Sequence, residues 1–417
     1  MARGFANTKS GLYSPKLSLC MIVKNEAHRL QNCLNSVKQV ADEIIIVDTG
    51  STDQTVKIAK RNTSKVYYFQ WCDDFAQARN YALSKANREW ILVLDADEVL
   101  LPSAVSLIQP IVNKPNNIIA VNLVRQEVGN NQAPYSLVCR LFRNRSDLRF
   151  TGVYHEQIDQ DLMRIMQAET HWQIVNYDQP AILHFGYTDV EISQTDKYDF
   201  AERLMLKHLQ VNPDDIYIKN KLGALYISQS QVDKGLELLL ESWRFLEQQT
   251  GNEALKFEVL YHLGFAHQQL EQLAPAIAYY QQALNLPVSA WQKLAGWNNL
   301  GGIYYQQQDF DSAIAAYEQV VSIDPHFKVG HNNLGLALRH AGQNALAIAS
   351  YQQAIAIDPH YAEAHQNLAA ALFTSGQVYY AKLHFQTAIQ LYRQQNQSQT
   401  AEQLLENLRH IGLRLEF

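Results

Sequence analysis

Two hydrophobic patterns divide this chain. Before about residue 200, apolar residues come in short unbroken runs: Leu17 to Val23, Ile44 to Val47 within Glu43 to Asp48, and Trp90 to Leu94. Runs of that length without helical spacing predict strands buried on both faces. An amphipathic stretch reaching Val40 separates the first two, and Phe75-Ala76-Gln77-Ala78-Arg79-Asn80 reads as helix ahead of the third. Strand, helix, strand, turn, helix is the order of βαβ units, and it predicts a parallel sheet. Gly50 supplies a permissive backbone after the second strand, and Ser51 or Thr52 is expected to cap the helix that follows. No G-x-G-x-x-G follows either early strand, so a dinucleotide site lacks its fingerprint.

The second half repeats every thirty-four residues. Trp297, Leu300, Gly301, Tyr304, Ala313, Tyr317 and Pro325 recur as His331, Leu334, Gly335, Leu338, Ala347, Tyr351 and Pro359 without slippage. His365, Leu368, Ala369, Leu372, Ala381, Phe385 and Ala388 give a third copy. Leu263, Gly264, Ala276, Tyr280 and Ala283 give an earlier one, and a weaker copy begins near Tyr217. Period and identities together resemble the tetratricopeptide repeat. The resemblance implies an all-α superhelix whose concave face binds extended peptides or other proteins; a rigid arm or an oligomerisation surface is the alternative use. Glu402, Gln403, Glu406 and Asn407 interleave with leucines near the end, as in a terminal capping helix.

The chemistry concentrates where the apolar runs stop. Open α/β sheets bind ligands at the carboxyl ends of their strands. Asp95-Ala96-Asp97 closes the third run there. Two carboxylates one residue apart are costly unless a positive charge sits on them, and a hard divalent cation, Mg²⁺ or Mn²⁺, carrying a diphosphate is the expected occupant. Asp48 stands at the second strand end, where a carboxylate could bond a nucleoside base or ribose.

Cys20 to Glu26, Ile46 to Asp53, Ala78-Arg79-Asn80 and Leu94 to Glu98 resemble, in order and separation, the motifs of family 2 glycosyltransferases. The likeness covers roughly residues 16 to 200. It implies a GT-A fold (a Rossmann-like mixed sheet with helices), a nucleotide-sugar donor such as a UDP-sugar, and inversion at the anomeric carbon. Gly152-Val153-Tyr154-His155-Glu156 and Leu183-His184-Phe185-Gly186-Tyr187 are similar to later motifs of a bacterial subgroup. That subgroup holds lipopolysaccharide-core glucosyltransferases and peptide S-glycosyltransferases. By resemblance, Ile22 and Lys24 line the nucleoside pocket, Glu26 and Asp48 lie near uracil and ribose, and Arg79 faces that pocket or the diphosphate. Asp95 touches ribose and metal, Asp97 holds the metal, and His184 is a further metal or phosphate contact. Many members carry an aromatic residue where this chain has Lys24. Inverting transfer also needs a group to take the acceptor's proton. Glu156 is the expected base, with Asp147, Asp159 and Asp161 as alternatives in sequence.

Charge and cysteine usage narrow the class. Through residue 200 there are 21 basic against 22 acidic residues, and beyond it 14 against 19, so neither half suggests nucleic acid. Cys20, Cys33, Cys72 and Cys139 show no metal or redox spacing and read as reduced thiols. Residues 1 to 15 lack an apolar core, and no apolar run approaches the ~20 residues of a membrane span. The expectation is a cytoplasmic enzyme that would meet a lipid-linked acceptor at the inner membrane face. The expected organisation is a flexible tail (1–15), a GT-A domain (16–200), a helical connector (201–215), tetratricopeptide repeats (216–395) and a capping helix (396–417). The expected activity moves a sugar from a nucleotide-sugar to a protein, peptide or glycan acceptor that the repeats recruit, with a homo-oligomer as a further possibility for them. Two other readings stand beside it. In one, a nucleotide-binding scaffold acts through its repeats; in the other, a nucleotidyltransferase would release pyrophosphate.

Overall fold

A computed structural model describes residues 16–186 and 194–415, with no side-chain account of 194–197. The tail 1–15 and Tyr187 lie outside the described residues. The chain forms two compact units, one running to Leu222 and the other built chiefly from Gly223 onward.

The first unit begins with β1 (Leu17–Val23), α1 (Leu30–Val37), β2 (Glu43–Asp48), α2 (Thr55–Asn62), β3 (Val66–Tyr68) and α3 (Phe75–Leu83). It continues with β4 (Trp90–Val93), β5 (Glu98–Leu100), α4 (Pro102–Asn113), β6 (Ile118–Glu127), β7 (Tyr135–Arg143), α5 (Asp159–Ala168) and β8 (Gln173–His184). Helices α6 (Gln194–Val211) and α7 (Ile216–Ser228) follow, the division falling inside α7. One eight-stranded sheet has the order β3-β2-β1-β4-β7-β6-β8-β5. Strands β2, β1 and β4 pair in parallel, as the unbroken apolar runs predict; the short β3, half-buried to exposed, adds to β2 in parallel, and β7 joins β4 antiparallel and makes the sheet mixed. Leu17, Leu19, Met21, Ile46, Trp90 and Leu92 are fully buried on one side with α1 and α4 residues; Ile45, Val47 and Ile91 are buried on the other. Burial on both faces fixes the register, and the register fixes which strand-end side chains face the ligand edge.

The second unit is a stack of helix pairs: α8 (Val232–Leu246), α9 (Glu253–Gln269) with α10 (Leu273–Asn285), α11 (Ala290–Gln306) with α12 (Phe310–Ile323), α13 (Lys328–His340) with α14 (Asn344–Ile357), and α15 (Ala362–Thr374) with α16 (Val378–Gln394). A Cβ placed on Gly264, Gly301 or Gly335 would come within 2.8, 2.8 or 2.6 Å of the Tyr280, Tyr317 or Tyr351 ring. Glycine there lets each tyrosine lie flat against the opposite helix backbone. In the last copy Ala369 and Phe385 hold these positions, both buried. Amide side chains link neighbouring pairs, Asn333 donating to Asn298 (3.0 Å) and Asn367 to Asn332 (2.9 Å). Helix α17 (Ser398–His410) buries Ala401, Leu404, Leu405 and Leu408 and leaves its polar residues outside.

Candidate active site

Two strand-end loops form one rim. Asp48 accepts from the Gly50 and Ser51 amides (3.1 Å each), and Gly50 takes φ +110°. Asn25 Oδ1 accepts from Thr52 N (2.8 Å), Glu26 N donates to Thr55 Oγ1 (2.7 Å), and Ala27 N donates to Asp53 Oδ2 (3.1 Å). The expected cap is corrected here: neither Ser51 nor Thr52 caps α2, and Asp53 Oδ1 instead takes the Thr55 amide (2.9 Å). Asp48, expected beside base and ribose, holds its carboxylate on the amides of its own turn. Ile22 is half-buried and Lys24 exposed at the end of β1. Glu26 carries a buried Oε2 that no described group bonds, an acceptor that a ligand N–H or O–H would satisfy. Burial, and after it the Asp97 charge, pushes Glu26 up to about 7.

Helix α3 supplies the next layer. Asp74 caps it by accepting from Gln77 N (2.9 Å), and its sixth residue, Asn80, exchanges two hydrogen bonds with the Phe150 backbone (2.9 Å each). Arg79, buried between them, points its Nη2 at Asp95 Oδ1 (2.6 Å) and its Nε at Glu156 Oε1 (2.5 Å). One guanidinium therefore orients both carboxylates. Glu156 sits in a loop that closes on itself through a Thr151–Gln157 bridge, with Gly152 and His155 at φ +100° and +55°. Of the alternative bases, Asp147 pairs with Arg145, and Asp161 bonds Arg149 N and Arg164. Asp95 Oδ2 takes a second guanidinium, Arg140 Nη2 (2.8 Å). Against its burial, Arg79 and Arg140 hold the Asp95 carboxyl far below the usual range.

The edge strands extend this network. Glu98, wholly buried, accepts from the Asp95 amide (3.0 Å), from Arg140 (2.9 Å) and from Arg125 (3.0 Å). Arg125 also binds Glu127 (2.9 Å), and Glu127 Oε2 meets His184 Nδ1 (2.5 Å). The other imidazole nitrogen lies 3.3 Å from Asp97 Oδ2, which Arg29 reaches at 3.4 Å. A Cβ on Gly186 would come within 2.6 Å of this imidazole, so the His-Phe-Gly order clears space for the ring. Against burial, the bonds to Asp97 and Glu127 push His184 up to about 9. The carboxylates of Asp95, Asp97, Glu98, Glu127 and Glu156 are then balanced by Arg29, Arg79, Arg125, Arg140 and a protonated His184.

Of the expected metal ligands, the structure brings Asp97 and His184 together and turns Asp95 to the arginines. Among the described residues no group of three or more His, Cys, Asp or Glu could hold a metal ion. A carboxylate and an imidazole facing each other still suit Mn²⁺, which fills remaining positions with substrate phosphates and water, whereas Mg²⁺ would rest on Asp97 and the phosphates alone. Sequence reasoning missed Arg29, Glu98, Arg125, Glu127 and Arg140. For Arg125, Glu127 and Arg140 the one sequence signal is charge inside apolar strands, Arg125 and Glu127 lying two residues apart on one face of β6; Arg29, at the start of α1, has none.

Comparison with known proteins adds the following. The profile described as Glycosyl transferase family 2 matches residues 18–175, and tetratricopeptide profiles match 257–287, 295–327 and 335–376. A TPR repeat-containing protein of Synechococcus elongatus is 38% identical over 315 residues, covering 76% of this chain and 77% of the relative. The SPbeta prophage-derived glycosyltransferase SunS of Bacillus subtilis is 32% identical over 150 residues, 34% of this chain and 35% of SunS. An uncharacterized glycosyltransferase of Rickettsia bellii is 44% identical over 91 residues, 22% of this chain and 31% of that one. The chain thus spans about a third of the length of these two glycosyltransferases.

Proposed function

This chain belongs to the family 2 glycosyltransferases, with tetratricopeptide repeats following its catalytic domain, and from that premise we propose that it moves a sugar from a UDP-sugar to a protein, peptide or glycan acceptor. The observation that carries this reading is Arg79, which binds Asp95 and Glu156 at once and so fixes a candidate base beside the strand end where the diphosphate would lie. The acceptor's nucleophile attacks the anomeric carbon, the bond to the diphosphate oxygen breaks, and the acceptor's proton passes to Glu156. Attack from the face opposite the leaving group inverts the centre. Glu26, with its unsatisfied buried oxygen, bonds the nucleoside, while the loops laced by Asn25, Asp48 and Asp53 shape the pocket around it.

Asp97 and His184 would hold a divalent cation, whose chemistry there is to neutralise charge on the departing diphosphate. The charge balance supports this: with Glu26 added to the five paired carboxylates, the acids of the site are at least as many as its bases, leaving no surplus positive charge for a diphosphate. The repeats fit recruitment of a protein or peptide acceptor, because stacked helix pairs present a long surface. No helix among the described residues is long and apolar enough to cross a membrane. The test is a thermal-shift series with UDP, with and without Mn²⁺, alongside an assay of UDP release from UDP-sugars. Equal UDP stabilisation in Mn²⁺ and in EDTA would remove the metal. Pyrophosphate as the product would move the chain to nucleotidyl transfer.

A further inference from the structure

The loop that carries Glu156 is held by one helix. Asn80 fixes its approach at Phe150, Phe75 N donates to Val153 O (3.1 Å), and Arg79 grips Glu156 itself. Whatever sets the position of α3 therefore sets the candidate base. The start of α3 is gripped in turn by α6, which lies beyond the part of the chain that the family profile matches. The Phe200 ring packs on Phe75 (centroids 6.4 Å, 85° between planes) and on Trp71 (6.4 Å). Phe75 in the same cluster meets Trp71 (4.8 Å) and Tyr154, two residues from Glu156 (5.7 Å). One turn on, Arg203 clamps Asp73 (2.8 and 3.2 Å), whose backbone is left-handed at φ +61° and which also accepts from the Trp71 indole (3.1 Å).

We propose that Phe200, with Arg203, is a positioning residue for the Glu156 loop, acting through Phe75, Trp71 and Tyr154. Relative magnitudes put Phe200 first. Edge-to-face ring pairs contribute beyond the area they bury, whereas an ion pair as exposed as Arg203–Asp73 contributes little. The inference rests on the reading of Glu156 as the base, and its test separates the two.

In the full chain, Phe200→Ala should quicken amide exchange across residues 71–79 and 151–157 about tenfold, leaving the repeat helices at wild-type rates. With UDP-glucose, UDP-galactose and UDP-N-acetylglucosamine as probes and Mn²⁺ present, kcat for donor hydrolysis should fall about 10- to 100-fold. The donor KM should stay within about twofold, and Phe200→Tyr should restore both readouts. Wild-type exchange with wild-type kcat, or a raised KM with kcat intact, would overturn the proposal. If the wild-type chain hydrolyses none of the probes, the proposed function falls, and the exchange arm alone decides whether Phe200 holds the loop. If Phe200→Ala does not fold, Phe200→Leu, which keeps apolar bulk and loses the ring contacts to Phe75 and Trp71, should give the same exchange pattern at a few-fold amplitude, and an unchanged pattern would overturn the proposal.

Discussion

Asp97 Oδ2 and His184 Nε2 face each other at 3.3 Å, with Glu127 closing on the far side of the imidazole at 2.5 Å. Without a cation, a proton on His184 joins the two carboxylates. A divalent ion in that position has to displace the proton, because only neutral imidazole ligates. With His184 near 9, Mn²⁺ affinity in the presence of UDP should rise about tenfold per pH unit between 7 and 9 and level off above. Titration calorimetry at pH 7 and 8.5 checks this, and equal affinities would take His184 out of the ligand set. Asp97→Asn should abolish the Mn²⁺-dependent part of the UDP thermal shift.

Glu156→Gln keeps size and hydrogen-bonding shape and removes the proton acceptor. Turnover should fall about 10²- to 10⁴-fold with UDP binding almost unchanged. Near-normal turnover would reassign proton removal. Asp147 and Asp161 are ion-paired with arginines, as Glu156 is with Arg79, so Asp147→Asn and Asp161→Asn measured beside Glu156→Gln would decide among the three.

Glu43 offers a stability test remote from ligands. It is buried at the start of β2, where Lys65, Ser18 Oγ (2.5 Å) and the Asn87 amide (2.9 Å) surround it. Against burial, these bonds bring it down to about 2. A carboxyl depressed on folding adds stability above its unfolded value near 4.5, and that stability is lost as pH falls through 2. Glu43→Gln should therefore cost about 2–3 kcal/mol at pH 7 and much less near pH 2. Denaturant melts at the two pH values decide it, and a cost independent of pH would refute the assignment.

In the repeats, Gly335→Ala would press a methyl onto the Tyr351 ring. Both are buried, so the helices must part, at about 1–3 kcal/mol. Gly342→Ala is no control, since Gly342 has φ +79° and is strained for a different reason. Ala345→Ser, exposed on α14, should change the melting temperature little. A Gly335→Ala protein as stable as wild type would mean that the close helix approach is not required.

How much of this was legible depended on range. Leu17–Val23 and Glu43–Asp48 stood out because strands covered on both faces need no alternation, and the repeats because each copy must solve the same helix contact. Arg79, Asp95, Glu156 and His184 were singled out from local motifs, and the fold joins them in one network. Arg140 was invisible for a physical reason: it meets Asp95 and Glu98 only because β7 pairs antiparallel with β4, whereas Glu98 lies three residues from Asp95 and accepts its amide locally. Nothing within a few residues of Arg140 announces that register. Asp48 illustrates the converse, a motif residue whose carboxylate serves its own turn.

The Asp95-Ala96-Asp97 triplet reads as a matched pair, yet its two acids keep different company. Asp95 is shared between two guanidiniums from α3 and β7, while Asp97 faces an imidazole and, at longer range, Arg29. Substitutions at the two positions should therefore leave different fingerprints in a variant library scored for both abundance and turnover. Asp95 variants should vanish from the soluble pool, and Asp97 variants should accumulate there as intact, silent protein.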